Sequence, residues 1–409
     1  MNSVVKTLKE RGFFKQCTDI DSLERLLDSE KVTCYIGFDP TGISLHVGHL
    51  LQLFAMAHFN RAGHRGIALV GGGTAMIGDP SGKTEMRKIL TKGDIERNSG
   101  LFKKQISRFI DFESGNALLL NNADWLKNLN YIDFLRDIGS QFSVNRMLGF
   151  ETYKKRLETG LSFIEFNYQL LQSYDFLVLN REYGCRLQMG GDDQWGNIVA
   201  GVDLVRRKNG VEVFGLTSPL ITRSDGKKMG KTEKGAVFLD PGLVSPYEFF
   251  QYWRNTADAD VVRFLKLFTF MPLEEIAEYE GLKDREINRG KEKLAFELTA
   301  IVHGKEEAEK AMGAARSAFG NGEKDKSGMP SITIPGEELK AGVNIVELFT
   351  RTNLCGSRSE ARRLVLQNGA SVNEKKINDI ECTIDASCVK DGEIILKAGK
   401  KRYFRVIIS

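Results

Sequence analysis

One short stretch near the start of the chain constrains the fold more than any other. Residues 32–38 carry apolar side chains at alternate positions, as a strand does, and the turn 39–42 follows directly. A helical pattern then opens at His46. A strand, a glycine and proline turn and a helix start form the arrangement by which a parallel α/β sheet presents backbone N–H groups to a ligand. The stretch therefore predicts an anion site, with phosphate as the expected guest.

The rest of the sequence supports a sheet of this kind. Further apolar runs indicate strands at 66–70, 118–120, 185–189 and 215–221. Helical patterns alternate with these runs, and this alternation predicts an α/β fold with a Rossmann-like, doubly wound parallel sheet. At 409 residues the chain exceeds a single core. We predict a catalytic domain at 1–232 with a helical insertion, an α-helical domain at 233–320, a linker at 321–340 and a small α+β domain at 341–409.

Composition excludes several classes of protein. The chain is 42% hydrophobic and 27% charged, which is ordinary for a globular protein. No run of 18 apolar residues and no signal-peptide core is present, so we expect no membrane segment and a cytoplasmic location. The six cysteines contain no Cys-x-x-Cys pair, so no metal site is predicted. Residues 341–409 hold 12 Lys/Arg against 8 Asp/Glu, an excess that points to a polyanionic partner.

Two histidines, His46 and His49, stand three positions apart, so a helix would place them on one face. Such a pair in isolation is most often solvated. A second element, Lys228-Met229-Gly230-Lys231-Thr232, lies far downstream in a polar loop. Together the two segments resemble the histidine and lysine motifs of class I aminoacyl-tRNA synthetases. The departures are mild, with Val47 in place of isoleucine, and Gly230 and Thr232 in place of serines.

A polar stripe interrupts a long apolar helix that is predicted to begin at Ser162. Ser162 and Glu165 have the spacing of a capping box, and most of the following surface is apolar, which is typical of a buried helix. Tyr168, Gln172 and Asp175 fall on one line along it, at i, i+4 and i+7. The stripe is either an ordinary solvent-facing surface or a set of buried groups that a ligand satisfies.

Two glycine-rich segments follow predicted strands. Gly71 to Gly73 indicate either the close approach of a ligand or a plain flexible turn. The segment 190–197 contains two adjacent acids, Asp192 and Asp193. These acids could bind a ribose, bind a metal ion or cap the next helix.

These segments extend the resemblance to one family of the class, the bacterial-type tyrosyl-tRNA synthetases, over essentially the whole chain. It rests on Tyr35 within Tyr-Ile-Gly-Phe-Asp-Pro-Thr, on the polar stripe, on the run Gly-Asp-Asp-Gln-Trp-Gly-Asn and on the lysine motif. The resemblance implies a tyrosine–tRNA ligase, with ATP as a substrate. Such an enzyme forms tyrosyl-adenylate and pyrophosphate from L-tyrosine and ATP, and then passes the tyrosyl group to the 3′ end of tRNA(Tyr).

The resemblance also implies roles for individual residues. The residues that would bind the substrate tyrosine are Tyr35, Asp79, Tyr168, Gln172, Asp175 and Gln194. Those that would line the adenosine site are Gly37, Asp39, Gly48 and Asp193. Those that would act on the ATP phosphates and pyrophosphate are Thr41, His46, His49, Lys83, Arg87, Lys228, Lys231 and Thr232. Those that would meet tRNA phosphates are Arg358, Arg362 and Arg363.

Three further expectations concern ligands and partners. Mg²⁺ would travel with the ATP phosphates rather than occupy a dedicated protein site. The family resemblance implies a homodimer in which one tRNA contacts both subunits. A catalytically silent relative that keeps the fold as an RNA-binding protein is the alternative, and the intact histidine and lysine motifs favour the enzyme. Activation of tryptophan is disfavoured by the polar stripe and by the length of the chain.

Overall fold

The computed structural model describes residues 2–81, 91–222, 224, 226, 229–232, 235–319, 329–399 and 402–409. The chain divides into two compact units. The first comprises Met1–Val244 and Arg254–Val302, and the second comprises Ser245–Trp253 and His303–Ser409.

A six-stranded sheet forms the centre of the first unit. Its strands are β1 Gln16–Cys17, β2 Thr33–Phe38, β3 Arg65–Val70, β4 Ala117–Asn121, β5 Cys185–Gly191 and β6 Phe214–Ser218. They are ordered β1-β6-β5-β2-β3-β4, with β2 to β6 parallel and β1 antiparallel to β6. The order reverses between β2 and β5, which is the point where a doubly wound sheet opens a crevice for ligands. The predicted fold class is confirmed.

Helices connect successive strands of this sheet, and one further helix precedes β1. They are α1 Ser3–Arg11, α2 Ile20–Ser29, α3 Leu50–Arg61, α4 Lys92–Ile106, α5 Ala123–Leu126, α6 Tyr131–Asp137, α7 Val144–Leu148, α8 Glu151–Thr159, α9 Phe163–Tyr183 and α10 Trp195–Asn209. A short hairpin follows, formed by β7 Lys231–Thr232 and β8 Gly235–Ala236. The next helices are α11 Pro246–Arg254, α12 Val261–Phe268, α13 Leu273–Ala277 and α14 Ile287–His303, of which α11 belongs mainly to the second unit.

The sequences of the two elements that carry most of the site explain why each forms. Every residue of β2 except Gly37 is buried, as expected for a central strand of a parallel sheet with both faces covered. Helix α9 begins with the predicted capping box, because Ser162 accepts from the Glu165 N–H and Glu165 accepts from the Ser162 N–H. It ends at Gly184, whose left-handed φ of 63° lets its N–H bond the last carbonyls.

The second unit is built around a five-stranded sheet. Its elements are α15 Lys305–Phe319, β9 Ser331–Ile334, α16 Gly336–Ala341, β10 Val343–Asn344, α17 Ile345–Arg351, α18 Arg358–Leu366, β11 Ala370–Val372, β12 Lys375–Ile377, β13 Thr383–Ile384, β14 Glu393–Ala398 and β15 Arg402–Ile408. The main sheet is ordered β12-β11-β14-β15-β9. Helices α16, α17 and α18 contribute apolar side chains to the same core as this sheet. None of the helices in the described ranges has the length and apolar character needed to cross a bilayer.

The linker predicted at 321–340 is wrong in its described part, which begins at residue 329. Strand β9 pairs in parallel with β15, and its Ile334 is buried in the core of the second unit. Helix α16 follows and buries Leu339. The low apolar content of the segment is misleading. Two or three apolar side chains are enough to hold a strand in place when the edge of an existing sheet supplies the hydrogen bonds. The domain limits at 232 and 320 stay predictions.

Candidate active site

The polar stripe on α9 is buried, so it is not a solvent-facing surface. Asp175 is 2% exposed and Tyr168 is almost as deeply buried, while Gln172 is half-buried. The Tyr168 hydroxyl donates to Asp39 Oδ2 at 2.9 Å, directly after β2. The stripe therefore faces the carboxyl edge of the sheet, where ligands of doubly wound folds bind.

Asp175 is held by two donors. Asn122 Nδ2 donates to Oδ2 at 2.9 Å, and Trp125 Nε1 donates to Oδ1 at 2.8 Å. Burial raises the pKa of Asp175 to about 7, these two hydrogen bonds oppose the rise, and the charge of Asp39 adds to it. The result is a carboxylate kept in an apolar setting with room to accept one more hydrogen bond.

Asn122 and Trp125 were not among the predicted site residues. Asn122 follows β4 directly, at the same edge of the sheet as the ends of β2 and β3. The adjacent polar pair Asn121-Asn122 after an apolar run was the signal that could have found it. Trp125, the third residue of α5, carried no comparable signal.

Tyr35 lies in the sheet with a phenol that has no partner among the described residues. It is 1% exposed, and its hydroxyl is buried without a hydrogen bond. Burial raises the pKa of Tyr35 well above its ordinary value, and the charge of Asp175 adds to this, so the phenol is neutral. A buried hydroxyl left unpaired costs free energy, which a polar ligand atom could recover.

Gln188 is a neighbour of Tyr35 that the sequence reasoning missed. The two residues are aligned in register on β5 and β2. Gln188 is buried, and its Oε1 has no hydrogen-bond partner in the described part of the chain. A glutamine between two apolar residues, Leu187 and Met189, was the available signal. Two unsatisfied polar groups thus lie side by side in the sheet.

A second polar cluster joins three of the residues that were predicted to bind the substrate tyrosine. Gln194 Nε2 donates to Asp79 Oδ2 at 2.7 Å. Asn197 Nδ2 lies within hydrogen-bond distance of Gln172 Oε1 at 3.1 Å and of Gln194 Oε1 at 3.2 Å. Asn197, which was not predicted, is therefore the centre of the cluster. The cluster offers carboxylate and amide oxygens, the groups that bind an ammonium ion.

The glycines after β3 make room for site side chains. A side chain at Gly71 would collide with the Asp39 carboxylate, and one at Gly72 would collide with Asn121. The Gly73 N–H donates to Asn122 Oδ1 at 2.7 Å. The segment is therefore not a plain flexible turn, because the side chains that build the site pack closely against its glycines.

The two adjacent acids after β5 have different surroundings. Asp192 accepts from Gln16 Nε2 at 2.8 Å and from Thr217 Oγ1 at 2.9 Å, so it ties β5 to β1 and β6. Asp193 is half-buried at the end of β5, facing the same edge as the half-buried Asp39. No group of three His, Cys, Asp or Glu side chains in the described ranges is arranged to hold a metal ion.

The histidine motif forms a tight turn rather than the start of an α-helix. Residues Val47–His49 are a 3-10 turn, and α3 begins one residue later. The Gly48 N–H donates to His46 Nδ1 at 3.0 Å, and the His46 N–H donates to His49 Nδ1 at 3.1 Å. The two rings are 4.1 Å apart between centroids and half-buried, so they form one unit beside β2.

The lysine motif docks on the histidine motif through the backbone. The Val237 N–H donates to the Gly230 carbonyl at 3.0 Å, and the Val47 N–H donates to the Val237 carbonyl at 2.9 Å. Two residues further on, the Leu239 N–H donates to the Leu45 carbonyl at 2.9 Å. Two segments far apart in the sequence thus meet at the opening of the crevice.

Other predicted residues have simple placements. Gly37 and Thr41 are exposed at the end of β2, with open space next to Gly37. The backbone of Lys231 and Thr232 forms β7. Lys83, Arg87 and Lys228 lie outside the described residues. Arg358, Arg362 and Arg363 lie on the exposed side of α18, opposite its buried Ala361 and Val365.

Comparison with known proteins agrees with this geometry. The family described as tRNA synthetases class I (W and Y) matches residues 27–320, and the tyrosine–tRNA ligase SYY-like C-terminal domain matches residues 322–406. A tyrosine–tRNA ligase of Treponema denticola is 58% identical over 410 residues, covering 100% of both chains. One from Acetivibrio thermocellus is 56% identical, covering 99% of both.

Solved structures of tyrosyl-tRNA synthetases are also similar to this chain. A C-terminally truncated mitochondrial tyrosyl-tRNA synthetase of Aspergillus nidulans is similar with a TM-score of 0.68 and 32% identity, over 76% of this chain and 93% of that one. A tyrosyl-tRNA synthetase of Archaeoglobus fulgidus complexed with L-tyrosine shares the fold, with a TM-score of 0.58 and 18% identity over 76% of this chain and 100% of that one. The chain belongs to the tyrosine–tRNA ligase family of class I tRNA synthetases.

Proposed function

We propose that the chain activates L-tyrosine with ATP and then transfers the tyrosyl group to the 3′ end of tRNA(Tyr). The observation that carries the proposal is the presence of two buried groups in one site: Asp175, a carboxylate with spare acceptor capacity, and Tyr35, whose hydroxyl has no hydrogen-bond partner among the described residues. A phenolic hydroxyl both donates and accepts one hydrogen bond, so it would satisfy both groups. Phenylalanine would leave the Tyr35 hydroxyl unpaired and would give Asp175 no third donor, and an unsatisfied buried group costs about 1–3 kcal/mol.

The other end of the bound tyrosine would meet the second polar cluster. Asp79, Gln172, Tyr168 and Gln194 would hold its ammonium group and α-carbon region, and Asn197 would keep the two glutamine side chains in place. This arrangement would leave the carboxylate of the substrate directed to the ATP side of the crevice. The geometry is one that brings the reacting atoms together without a protein nucleophile.

Adenylate formation needs positive charge and hydrogen-bond donors around the phosphorus. A carboxylate oxygen of tyrosine forms a bond to the α-phosphorus of ATP, the bond from that phosphorus to the bridging oxygen breaks, and pyrophosphate leaves. Thr41, His46, His49 and the lysines 228 and 231 would stabilise the charge that builds on the phosphate oxygens. Lys83, Arg87 and Thr232 would add to this set. Mg²⁺ would arrive with the ATP phosphates and supply further charge.

The adenosine part of ATP would lie at the ends of β2 and β5. Gly37 offers open space beside an exposed backbone, and Gly48 lies in the adjacent turn. Asp193 would bind the ribose, a role for which Asp192 is less suited because it already accepts two hydrogen bonds. Asp39 would border the same site while holding Tyr168.

The RNA half of the function would rest on the helical domain and on the small domain. Residues 1–232 would carry the chemistry, 233–320 would lie on the anticodon-stem side, and 341–409 would bind RNA. Arg358, Arg362 and Arg363 present three cations on the exposed side of α18, which suits a phosphate backbone. Since its substrate would be the tRNA of protein synthesis, the expected place of action is the cytoplasm.

The experiment that tests this proposal is amino-acid-dependent exchange of pyrophosphate into ATP. Tyrosine, phenylalanine and tryptophan are supplied separately to the full chain. Exchange with tyrosine alone is the expected result. If folded protein shows no exchange with any of the three, the silent RNA-binding relative becomes the better interpretation.

The histidine and lysine motifs should act on the chemical step and not on tyrosine binding. His46→Ala and Lys231→Ala should each slow adenylate formation on the order of 100-fold, because each removes charge or a donor from the transition state. Their affinity for tyrosine without ATP should be unchanged. Single-turnover kinetics and equilibrium dialysis measure the two quantities, and Lys305→Ala, at the exposed start of α15, is the control. Loss of tyrosine affinity in either variant would contradict these roles.

Tyrosine affinity should fall as the pH is lowered through about 7. The pKa of Asp175 is raised to about 7, so its carboxylate is charged above that pH and loses acceptor capacity below it. Asn122→Ala removes a donor that lowers this pKa, so the fall should begin at higher pH. Dialysis with labelled tyrosine and no ATP measures both midpoints. Asn288→Ala, exposed on α14, should keep the original midpoint, whereas an affinity independent of pH would refute the assignment.

We also propose that the chain forms a homodimer through an apolar segment at 131–164. Six of the ten large hydrophobic side chains exposed in the described ranges lie there: Tyr131, Ile132, Val144, Leu157, Phe163 and Ile164. Phe163 is 70% exposed at the start of α9. The adjacent Arg156–Glu165 ion pair, at 3.1 Å and deeply buried, fixes α8 to α9 and makes this surface rigid. Rigid apolar surface of this kind is typical of an interface between identical subunits.

The interface can be tested by sedimentation of the purified chain. The unmodified chain should sediment as a dimer, and Phe163→Glu should shift it to a monomer, because a carboxylate would be buried without a partner. Leu366→Glu is the matched control, since Leu366 is 61% exposed in the second unit and outside the segment. A chain that is monomeric before substitution would rule out the proposed dimer.

A further inference from the structure

Gly230 is the position of the lysine motif that departs furthest from the usual serine. Its φ is +84°, in the left-handed region that residues with a side chain rarely adopt. It stands directly before β7, which begins with Lys231. The backbone conformation by itself therefore favours glycine at this position.

A second constraint on Gly230 comes from the histidine motif. A Cβ atom added at Gly230 would lie 2.7 Å from Val47 Cγ2 and 3.4 Å from the backbone nitrogen of Gly48. Val47 is 1% exposed, and a β-branched side chain has little freedom to rotate away. Two of the three positions that depart from the usual motifs, 47 and 230, thus lie so close together that a side chain at 230 would collide with Val47.

The same residues are linked by the backbone. The Gly230 carbonyl accepts from Val237, and the Val237 carbonyl accepts from Val47. Val237 follows β8, whose pairing with β7 aligns Lys231 with Ala236. A displacement at Gly230 would therefore move the start of β7 relative to the histidine turn.

We propose that Gly230 is a positioning residue for adenylate formation, and that its lack of a side chain beside Val47 sets the distance between the lysine motif and the histidine motif. This inference rests on the proposed function, in which Lys231 and His46 act on the same phosphates. Groups that stabilise one transition state must keep their separation, since misplacement by about 1 Å can cost on the order of 100-fold in rate. The size of the Val47 side chain would then be complementary to the absence of a side chain at 230.

The test is a double-mutant cycle with Gly230→Ala and Val47→Ala. Gly230→Ala should lower the rate of adenylate formation on the order of tenfold, with tyrosine affinity unchanged. The double variant should recover part of this loss relative to Gly230→Ala, because removing Cγ2 relieves the contact. Recovery of the rate when Val47→Ala is added to Gly230→Ala is a result that a merely structural defect would not give.

Gly235 provides the matched control within the same hairpin. Its φ is +111°, but a Cβ atom there would meet none of the described residues within 4 Å. Gly235→Ala therefore introduces backbone strain without the contact, and adding Val47→Ala should give no recovery. Tyrosine binding by equilibrium dialysis shows in every variant that the first unit is folded.

Two outcomes would overturn the inference. One is a rate for Gly230→Ala equal to that of the unmodified chain. The other is a double variant whose loss equals the product of the two single losses, which would show that positions 47 and 230 act independently. Failure of the proposed function is distinguishable from both, because the unmodified chain would then show no tyrosine-dependent exchange at all.

Discussion

The site depends on the burial of one carboxylate. Removing Asp175 from water is unfavourable, and the chain offsets the cost with donors from two other elements, Asn122 after β4 and Trp125 in α5. Asn122 in turn accepts from Gly73 and donates to Thr74, so the turn after β3 is held by the same network. The ends of two neighbouring strands are thereby fixed around a single charged group.

A second feature is the separation of binding from chemistry. Polar groups buried along α9 face the region where tyrosine would bind, whereas the histidine and lysine motifs meet at the opening of the crevice through backbone hydrogen bonds. Neither region contains a nucleophile in a suitable setting among the residues described, and the proposed reaction requires none. What the fold supplies is position, since donors placed where charge develops lower the barrier without forming a covalent intermediate.

The sequence predicted those parts of the fold that local pattern determines. The strand at 32–38, the capping box of α9 and the stripe Tyr168, Gln172 and Asp175 follow from periodicity and spacing, which report on one element at a time. The pairing of the two motifs came from the family resemblance, and the structure adds the hydrogen bonds that connect them.

What the sequence could not predict depends on neighbours in space. Trp125 and Asn197 are ordinary residues until the fold places them beside Asp175 and Gln172. Asp192 and Asp193 are adjacent in sequence, and only the structure shows that Gln16 and Thr217 donate to the first of them. The error over 321–340 has the same origin, since β9 is a strand only because β15 offers it an edge.

The measurement that tests the account most directly is the ratio of exchange rates with tyrosine and with phenylalanine, in the unmodified chain and in Tyr35→Phe. The account predicts that this ratio is about tenfold smaller in the variant, because one hydrogen bond to the phenolic hydroxyl disappears. Nearly all of the loss should appear in the rate with tyrosine. An equal fall with both amino acids would contradict the account, since Tyr35 would then support the fold of the site rather than recognise the hydroxyl.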